Sequence, residues 1–179
     1  NYALKKCDAL IIHPLIGQFL KKEYKEETII KLNKYLIKNI YNKKNIFLEF
    51  FNYYPLYAGP TEALFHALVR KNYGCTHFLV GRDHAGTKNK LGKNYYKKYE
   101  SQEICKKYEA KLGIKIISFH EPYFCKECNK ILNKCTHSEV KKIIINGAKI
   151  RKLIMTKNKI PEIFMRKKIS KYLSVKSII

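Results

Sequence analysis

Short apolar runs alternate along this chain with segments of helical periodicity, and this order constrains the fold more than any other feature of the sequence. The apolar runs are rich in Ile, Leu, Val and Phe, which is typical of strands buried on both faces; they lie at 9–12, 46–50, 77–80 and 114–119. Helical patterns fall between them, at about 25–38, 60–74 and 101–112. Such alternation predicts βαβ units and therefore an α/β fold with a parallel sheet.

The composition changes near Pro122, where the alternation ends and a segment containing Cys and His begins. A strand at 143–145 and two helices near 148–156 and 161–173 are predicted to follow. We therefore predict an α/β domain over residues 1–121 and a small, mainly helical C-terminal subdomain over residues 122–179.

The net charge of +23, from 37 basic and 14 acidic residues, first suggests a nucleic-acid binder. Only four of the basic residues are Arg, the residue that specific nucleic-acid surfaces favour, and the lysines are scattered along the chain. The abundance of Lys, Ile, Tyr and Asn instead indicates a genome rich in A and T. We predict no specific nucleic-acid partner, only attraction to polyanions at low salt.

No apolar run approaches the ~18 residues of a membrane span, and no signal peptide is recognisable. Six cysteines without a secretion signal favour a reducing, cytoplasmic location and no membrane partner. The first residue is Asn1 and not Met, so the expectation is that the chain is part of a longer protein.

The predicted strand at 77–80 runs directly into Gly81-Arg82-Asp83-His84-Ala85-Gly86. Ligands of open α/β sheets bind at the carboxyl ends of strands, and flanking glycines let backbone N–H groups approach an anion. Arg82 would add a charge matched to phosphate, and His84 could donate to a phosphate or leaving group. Asp83 could fix either side chain. An ordinary surface turn with an Arg–Asp pair is the alternative reading.

Three cysteines and one histidine form the second candidate site, at Cys125, Cys128, Cys135 and His137. Four such ligands match a tetrahedral Zn²⁺ site without an open position, so the metal would be structural. Free cysteines and a redox Cys-x-x-Cys pair are the alternatives, although a redox pair has no need of Cys135 and His137. By contrast, His66 lies on the predicted 60–74 helix and is interpreted as a satisfied helix histidine.

The segment 57–67, beginning Tyr57-Ala58-Gly59-Pro60, and the segment 70–86, ending in the Gly-Arg-Asp-His-Ala-Gly turn, together resemble the ATP sulfurylase (sulfate adenylyltransferase) family. The resemblance extends to residues 10–17, 145–151 and 160–162, and thus covers nearly the whole chain. It implies a parallel-sheet, Rossmann-like nucleotidyltransferase domain. The implied reaction is attack of a sulfate oxygen on the α-phosphate of ATP, giving adenosine 5′-phosphosulfate and pyrophosphate.

The same resemblance assigns roles to individual residues. It implies that Gly81, Arg82, Asp83 and His84 contact ATP, with Arg82 and His84 as catalytic groups, that the backbone of Ala85 contacts sulfate, and that Pro122 lies near the adenine. Mg²⁺ would arrive as the ATP complex. Some family members carry a similar Cys/His cluster, which favours zinc, and the family commonly self-associates, so a homo-oligomer is expected.

Two departures from the family pattern are present. The signature Gln-Thr-Arg-Asn-Pro-x-His-x-x-His should lie just before Asn1 and is not in this sequence, and Asn146 stands where the family usually has Ser. The expectation is therefore a C-terminal portion with half an active site, inactive alone. The rival hypotheses are a basic zinc-knuckle module that binds RNA and a non-catalytic remnant that acts as a subunit interface.

Overall fold

The computed structural model describes residues 3–17, 23–41 and 45–179, and it confirms a mixed α/β fold with parallel strand pairs. The chain divides into two compact units. The first contains Pro55–Glu121 with the N-terminal residues up to Cys7, and the second contains Asp8–Tyr54 and Pro122–Ile179.

The first unit is built around one parallel βαβ element. Strands β5 (His77–Val80) and β6 (Lys115–Ser118) pair in parallel, in a register that sets His77 beside Lys115. Helix α2 (Pro60–Asn72) precedes β5, and helices α3 (Glu100–Lys107) and α4 (Glu109–Leu112) connect the two strands. The connection begins with the glycine-flanked turn, which therefore lies at the carboxyl end of β5.

Helix α2 begins where its sequence predicts, because Pro60 occupies a first-turn position that has no need of a backbone N–H. Gly59 before it has φ 57°, and a side chain there would collide with the ring of Tyr96. Ala63 and Ala67 are fully buried and bring the helix close to the core residues Phe78, Val80, Cys105, Leu112, Ile114 and Ile116. Leu68, on the same helix, is 43% exposed.

The N-terminal part of the second unit contains two further parallel pairs. Strand β1 (Leu10–Ile12) pairs with β3 (Ile46–Leu48), and β2 (Leu15–Ile16) pairs with β4 (Phe51–Asn52). Helix α1 (Glu26–Leu36) continues as a π-helical turn over Ile37–Tyr41.

The C-terminal part of this unit forms an antiparallel sheet in the order β8-β7-β9, made of β7 (Tyr123–Cys125), β8 (Lys130–Leu132) and β9 (Lys142–Ile144). Helices α5 (Gly147–Met155) and α6 (Lys167–Ser170) follow. The predicted helix over 161–173 was wrong in extent, because Arg166 has extended backbone angles (φ −54°, ψ 134°) and interrupts it. Short 3₁₀ helices lie at Ala3–Lys5, Glu139–Lys141 and Val175–Ser177.

One boundary between the units lies after Glu121, where the sequence predicts a domain boundary. However, Asp8–Tyr54 belongs to the same unit as the C-terminal residues. A catalytic domain over 1–121 and a subdomain over 122–179 stay a prediction. Within the described ranges, no helix is both long enough and apolar enough to cross a bilayer.

We predict that Gln102→Leu destabilises the protein by about 1–3 kcal/mol, because it removes the donor to one buried and one partly buried carbonyl. Gln102 is 8% exposed, and its Nε2 donates to the carbonyls of Val80 and Phe119, both at 3.0 Å, where β5 and β6 end. The measurement is urea unfolding followed by circular dichroism. The same change at the exposed neighbour, Glu103→Leu, is the control; equal effects from both variants would contradict this role of Gln102.

Candidate functional site

The backbone of the Gly81–Gly86 turn takes up conformations that ordinary turns avoid. Asp83 and Ala85 both lie in the left-handed region, with φ of 51° and 56°, a conformation that is uncommon for residues other than Gly. Left-handed residues that alternate with others, as Asp83 and Ala85 do on either side of His84, can direct successive backbone N–H groups toward a common point, where an anion can bind. The backbone angles of this turn are compatible with its interpretation as an anion-binding turn.

Three hydrogen bonds fix the turn to the rest of the first unit. The N–H of Asp83 donates to the carbonyl of Lys98 at 2.9 Å, and the N–H of Gly59 donates to the carbonyl of Ala85 at 2.9 Å. The Oγ of Ser101, in the first turn of α3, donates to the carbonyl of His84 at 2.9 Å. Across the described ranges, no hydrogen bond occupies the backbone N–H groups of His84 and Ala85. These two donors are available to an anionic ligand.

Gly86 has a steric role in the same turn. A Cβ at this position would fall within the carboxylate of Asp83, whereas a Cβ at Gly81 would meet only the Phe119 ring at 3.9 Å. The two flanking glycines are therefore not equivalent, since only Gly86 makes room for a neighbouring side chain.

Arg82 takes part in an ion-pair network with a residue that the sequence left without a role. Its Nε lies 2.9 Å from Oε1 of Glu121, and the Nζ of Lys98 lies 3.2 Å from Oε2 of the same carboxylate. The Arg82 side chain remains 33% exposed and Glu121 only 13%. Glu121, and not Asp83, thus orients the guanidinium. Because Glu121 follows the next strand of the pair, only the tertiary structure could identify it.

His84 is held against helix α2. Its Nε2 lies 2.9 Å from Nδ1 of His66, and its ring meets Phe78 edge-on with centroids 5.6 Å apart. Burial, with a smaller contribution from Arg70, lowers the pKa of His84 to about 4. The ring is therefore neutral at pH 7 and carries a single N–H. His66 lies on the buried face of α2, as interpreted from the sequence, but only its Nδ1 lies within hydrogen-bond distance of a partner among the contacts described, and its Nε2 lies 3.7 Å from Oε1 of Glu62.

The structure brings Gly81, Arg82, Asp83, His84 and Ala85 together in the first unit. Pro122 belongs to the second unit, so its place near an adenine stays a prediction. His13, another residue of the second unit, lies against Phe51, with ring centroids 5.5 Å apart.

The Cys/His cluster is assembled as predicted. Ligand atoms of Cys125, Cys128, Cys135 and His137 all lie within 4.8 Å of one another, on β7 and the segments that follow it. The Nδ1 of His137 is 3.6 Å from Sγ of Cys125 and 3.4 Å from Sγ of Cys128. Bond lengths for tetrahedral zinc require such S–N separations to be about 3.5 Å. The four residues therefore fit a tetrahedral metal ion.

Neighbouring donors favour thiolate at Cys125, whereas the side-chain hydrogen bond with Cys125 raises the pKa of the Cys128 thiol. A backbone hydrogen bond from Cys128 lowers the pKa of the Cys125 thiol, and the hydroxyl of Tyr123 donates to Sγ of Cys135 at 3.2 Å. Thiolate is the form that binds metal, and donors around it stabilise its charge.

A cavity of about 650 Å³ lies in the second unit and contains none of the predicted site residues. Apolar residues of α5 and the C-terminal segment line it together with the lysines Lys157, Lys159, Lys167, Lys171 and Lys176.

We predict that Gly86→Ala destabilises the protein by about 1–3 kcal/mol, because the new methyl group must displace the buried Asp83 carboxylate. Thermal unfolding followed by circular dichroism measures the effect. Gly81→Ala, the same change at the other end of the turn, should stay within about 0.5 kcal/mol of the parent chain. A Gly86→Ala protein as stable as Gly81→Ala would contradict the tight packing of this turn.

Comparison with known proteins places the chain in a family. The model of the ATP-sulfurylase family matches residues 1–176. A sulfate adenylyltransferase of Ignicoccus hospitalis is 40% identical over 170 residues, which are 94% of this chain and 43% of that protein. Those of Pyrococcus abyssi and Deinococcus radiodurans are 40% and 35% identical, over 92% and 96% of this chain. The chain thus spans less than half the length of these relatives.

A fold comparison agrees. A solved structure described as a hexameric APS kinase from Thiobacillus denitrificans matches 96% of this chain and 32% of its own, with a TM-score of 0.62 and 15% identity. At that identity the match shows a shared fold and nothing more. The family model, the relatives and the geometry of the strand-end turn agree with one another, and we conclude that the chain belongs to the ATP-sulfurylase family.

Proposed function

We propose that this chain supplies the nucleotide- and sulfate-binding part of a sulfate adenylyltransferase. In that reaction a sulfate oxygen attacks the α-phosphate of ATP, forming adenosine 5′-phosphosulfate and releasing pyrophosphate. The observation that carries the proposal is the strand-end turn, where the N–H groups of His84 and Ala85 are available beside the Arg82 guanidinium. The relatives that match most of this chain are named sulfate adenylyltransferases.

The proposed chemistry requires positioning and charge stabilisation and no covalent enzyme intermediate. Gly81, Arg82, Asp83 and His84 would contact ATP, and the backbone of Ala85 would contact sulfate. Fixed N–H dipoles and a guanidinium stabilise charge that develops on phosphoryl oxygens without the reorganisation that water requires. Mg²⁺ would enter bound to ATP and neutralise part of the phosphate charge.

The ion-pair network prepares Arg82 for this task. Glu121 binds the guanidinium through Nε, which restricts the rotation of a long side chain before any ligand arrives. Lys98 shares the same carboxylate and offsets its charge. A preoriented guanidinium loses less conformational entropy when the phosphate binds.

The Cys/His cluster would hold a structural Zn²⁺ through Cys125, Cys128, Cys135 and His137. Three sulfurs and one nitrogen fill a tetrahedral shell and leave no position for a substrate. The metal would stabilise the loop between β7 and β9. A reducing cytoplasmic environment would keep the thiols available.

The proposed architecture follows the family: a Rossmann-like nucleotidyltransferase domain over 1–121 and a zinc-containing subdomain over 122–179. Its partners would be ATP, sulfate, adenosine 5′-phosphosulfate and pyrophosphate, and the active protein would be a homo-oligomer.

We predict that Arg82→Ala lowers the rate of pyrophosphate release by about 10²–10³-fold, since it removes a charged donor from the transition state. The assay follows release from ATP and sulfate, using the chain joined to the preceding segment that the family pattern predicts. Binding of ATP to the 179-residue chain is measured in parallel by calorimetry.

Arg166→Ala removes the same charge from an exposed position in the second unit and should leave the rate unchanged. No pyrophosphate release from the joined protein would refute the enzyme proposal. Tight RNA binding without pyrophosphate release would support the zinc-knuckle alternative. The absence of both RNA binding and pyrophosphate release would support the non-catalytic subunit interface.

For the metal, native mass spectrometry should find one Zn²⁺ per chain, lost in Cys125→Ser because a buried sulfur ligand disappears. Cys7→Ser, outside the cluster, should retain the metal. Chelation should also lower the thermal unfolding temperature of the parent chain but not of Cys125→Ser. A parent chain purified without chelators and free of metal would contradict the zinc assignment.

A further inference from the structure

A buried chain of polar side chains connects helix α2 to the strand-end turn. Glu62 and His66 lie four residues apart on one face of α2, and they are 3% and 1% exposed. The Nε2 of His66 lies 3.7 Å from Oε1 of Glu62, and its Nδ1 lies 2.9 Å from Nε2 of His84. The contacts thus run from the Glu62 carboxylate to the His66 ring and from there to the His84 ring.

Glu62 is itself fixed by the backbone before α2. Its two oxygens accept the N–H groups of Leu56 at 3.1 Å and Ala58 at 2.8 Å. The carboxylate is therefore held in place 3.7 Å from Nε2 of His66, beyond hydrogen-bond distance, and acts on that nitrogen through its charge. A proton on Nε2 of His66 is attracted to this charge, whereas a lone pair there would be repelled.

The position of that proton determines the rest of the chain of contacts. The bond between the two rings holds one proton, so one ring donates and the other accepts. With its proton on Nε2, a neutral His66 accepts through Nδ1. His84 must then donate from Nε2, and its Nδ1 is the nitrogen without a proton.

The surroundings of His84 are consistent with this arrangement. Arg70 lies beside the pair, is 8% exposed, and donates through a terminal nitrogen to the carbonyl of His66 at 3.3 Å. Burial and this guanidinium keep the pKa of His84 near 4, so a second proton is disfavoured at pH 7. Phe78 contacts the ring edge-on. Among the described residues, His66 contacts the ring directly, Arg70 acts on it through its charge, and Glu62 lies behind His66.

We propose that Glu62 and His66 are positioning residues that hold His84 in its neutral, Nε2-protonated form and so fix the backbone of the anion-binding turn. A ring whose Nε2 donates to His66 has no proton to give to a phosphate from Nδ1. His84 then serves ATP through its backbone N–H, which the anchored ring holds in place. The consequence for catalysis rests on the proposed function, but the tautomer itself does not.

The first test measures the tautomer by two-dimensional ¹H–¹⁵N spectra of the ¹⁵N-histidine-labelled chain at pH 7.5, with the His84 signals identified by their loss in His84→Gln. We expect a protonated Nε2 and an unprotonated Nδ1. His66→Leu, which removes the acceptor, should change this pattern. His66→Asn, whose amide oxygen can stand in for Nδ1, should retain it, and Glu62→Gln should give a mixture of tautomers.

His77→Gln is the matched control, because His77 lies at the start of β5 and contacts Thr76. It should leave the His84 signals unchanged. A wild-type His84 protonated on Nδ1, or an unchanged pattern in both His66→Leu and Glu62→Gln, would overturn the proposal. Circular dichroism establishes that each variant is folded; if His66→Leu is not, Glu62→Gln and His66→Asn decide.

The second test measures ATP binding by calorimetry on the same proteins. We expect His66→Leu to weaken binding by about 10–100-fold through displacement of the turn, with recovery in His66→Asn. Unaltered affinity in a His66→Leu protein with an altered tautomer would refute the link between ring and turn. If the parent chain binds no ATP, the proposed function fails, while the spectra still judge the positioning of His84.

Discussion

The structure of the first unit depends on how firmly the strand-end turn is held from both sides. Helix α2 holds it through the Gly59 N–H on the carbonyl of Ala85 and through the contact between His66 and His84. Helix α3 holds it through Ser101 on the carbonyl of His84. With the carbonyls of Asp83, His84 and Ala85 occupied and left-handed angles at Asp83 and Ala85, the turn presents N–H groups. A flexible loop would have to order itself at the expense of binding energy.

Charge acts in this protein through a few placed groups and not through its net value. The chain carries +23, yet most of that charge comes from dispersed lysines, where salt screens it. Arg70 and Arg82 lie in or beside the turn, the first buried against Phe78 and the second paired with Glu121. Packing against Phe78 fixes Arg70 and the Glu121 carboxylate fixes Arg82, so the positive charges of both side chains stay close to the turn. The surplus of lysine contributes a general attraction to polyanions.

Much of the fold and the candidate site was predictable from local pattern. The strand at 77–80 and the start of α2 at Pro60 agree with the structure because short apolar runs and an N-terminal proline act through neighbouring residues. The Cys/His cluster was predictable because its four ligands lie within thirteen residues. The interruption of the predicted 161–173 helix was not predictable, since the apolar periodicity gave no sign of the extended backbone at Arg166. Glu121 and the His66–His84 pair were also beyond local pattern, because their partners are distant along the chain.

The sequence by itself determined the chemistry that is available: a glycine-flanked turn with one Arg and one His, a metal-binding set, and the alternation of an α/β fold. Only the tertiary structure decided how that chemistry is deployed. In the folded protein Arg82 forms an ion pair with Glu121 and not with Asp83. His84 is buried against His66, and its ring is neutral. The reason is that charge state and hydrogen-bond partner depend on burial and on approach in space. Residue type and spacing along a chain specify neither.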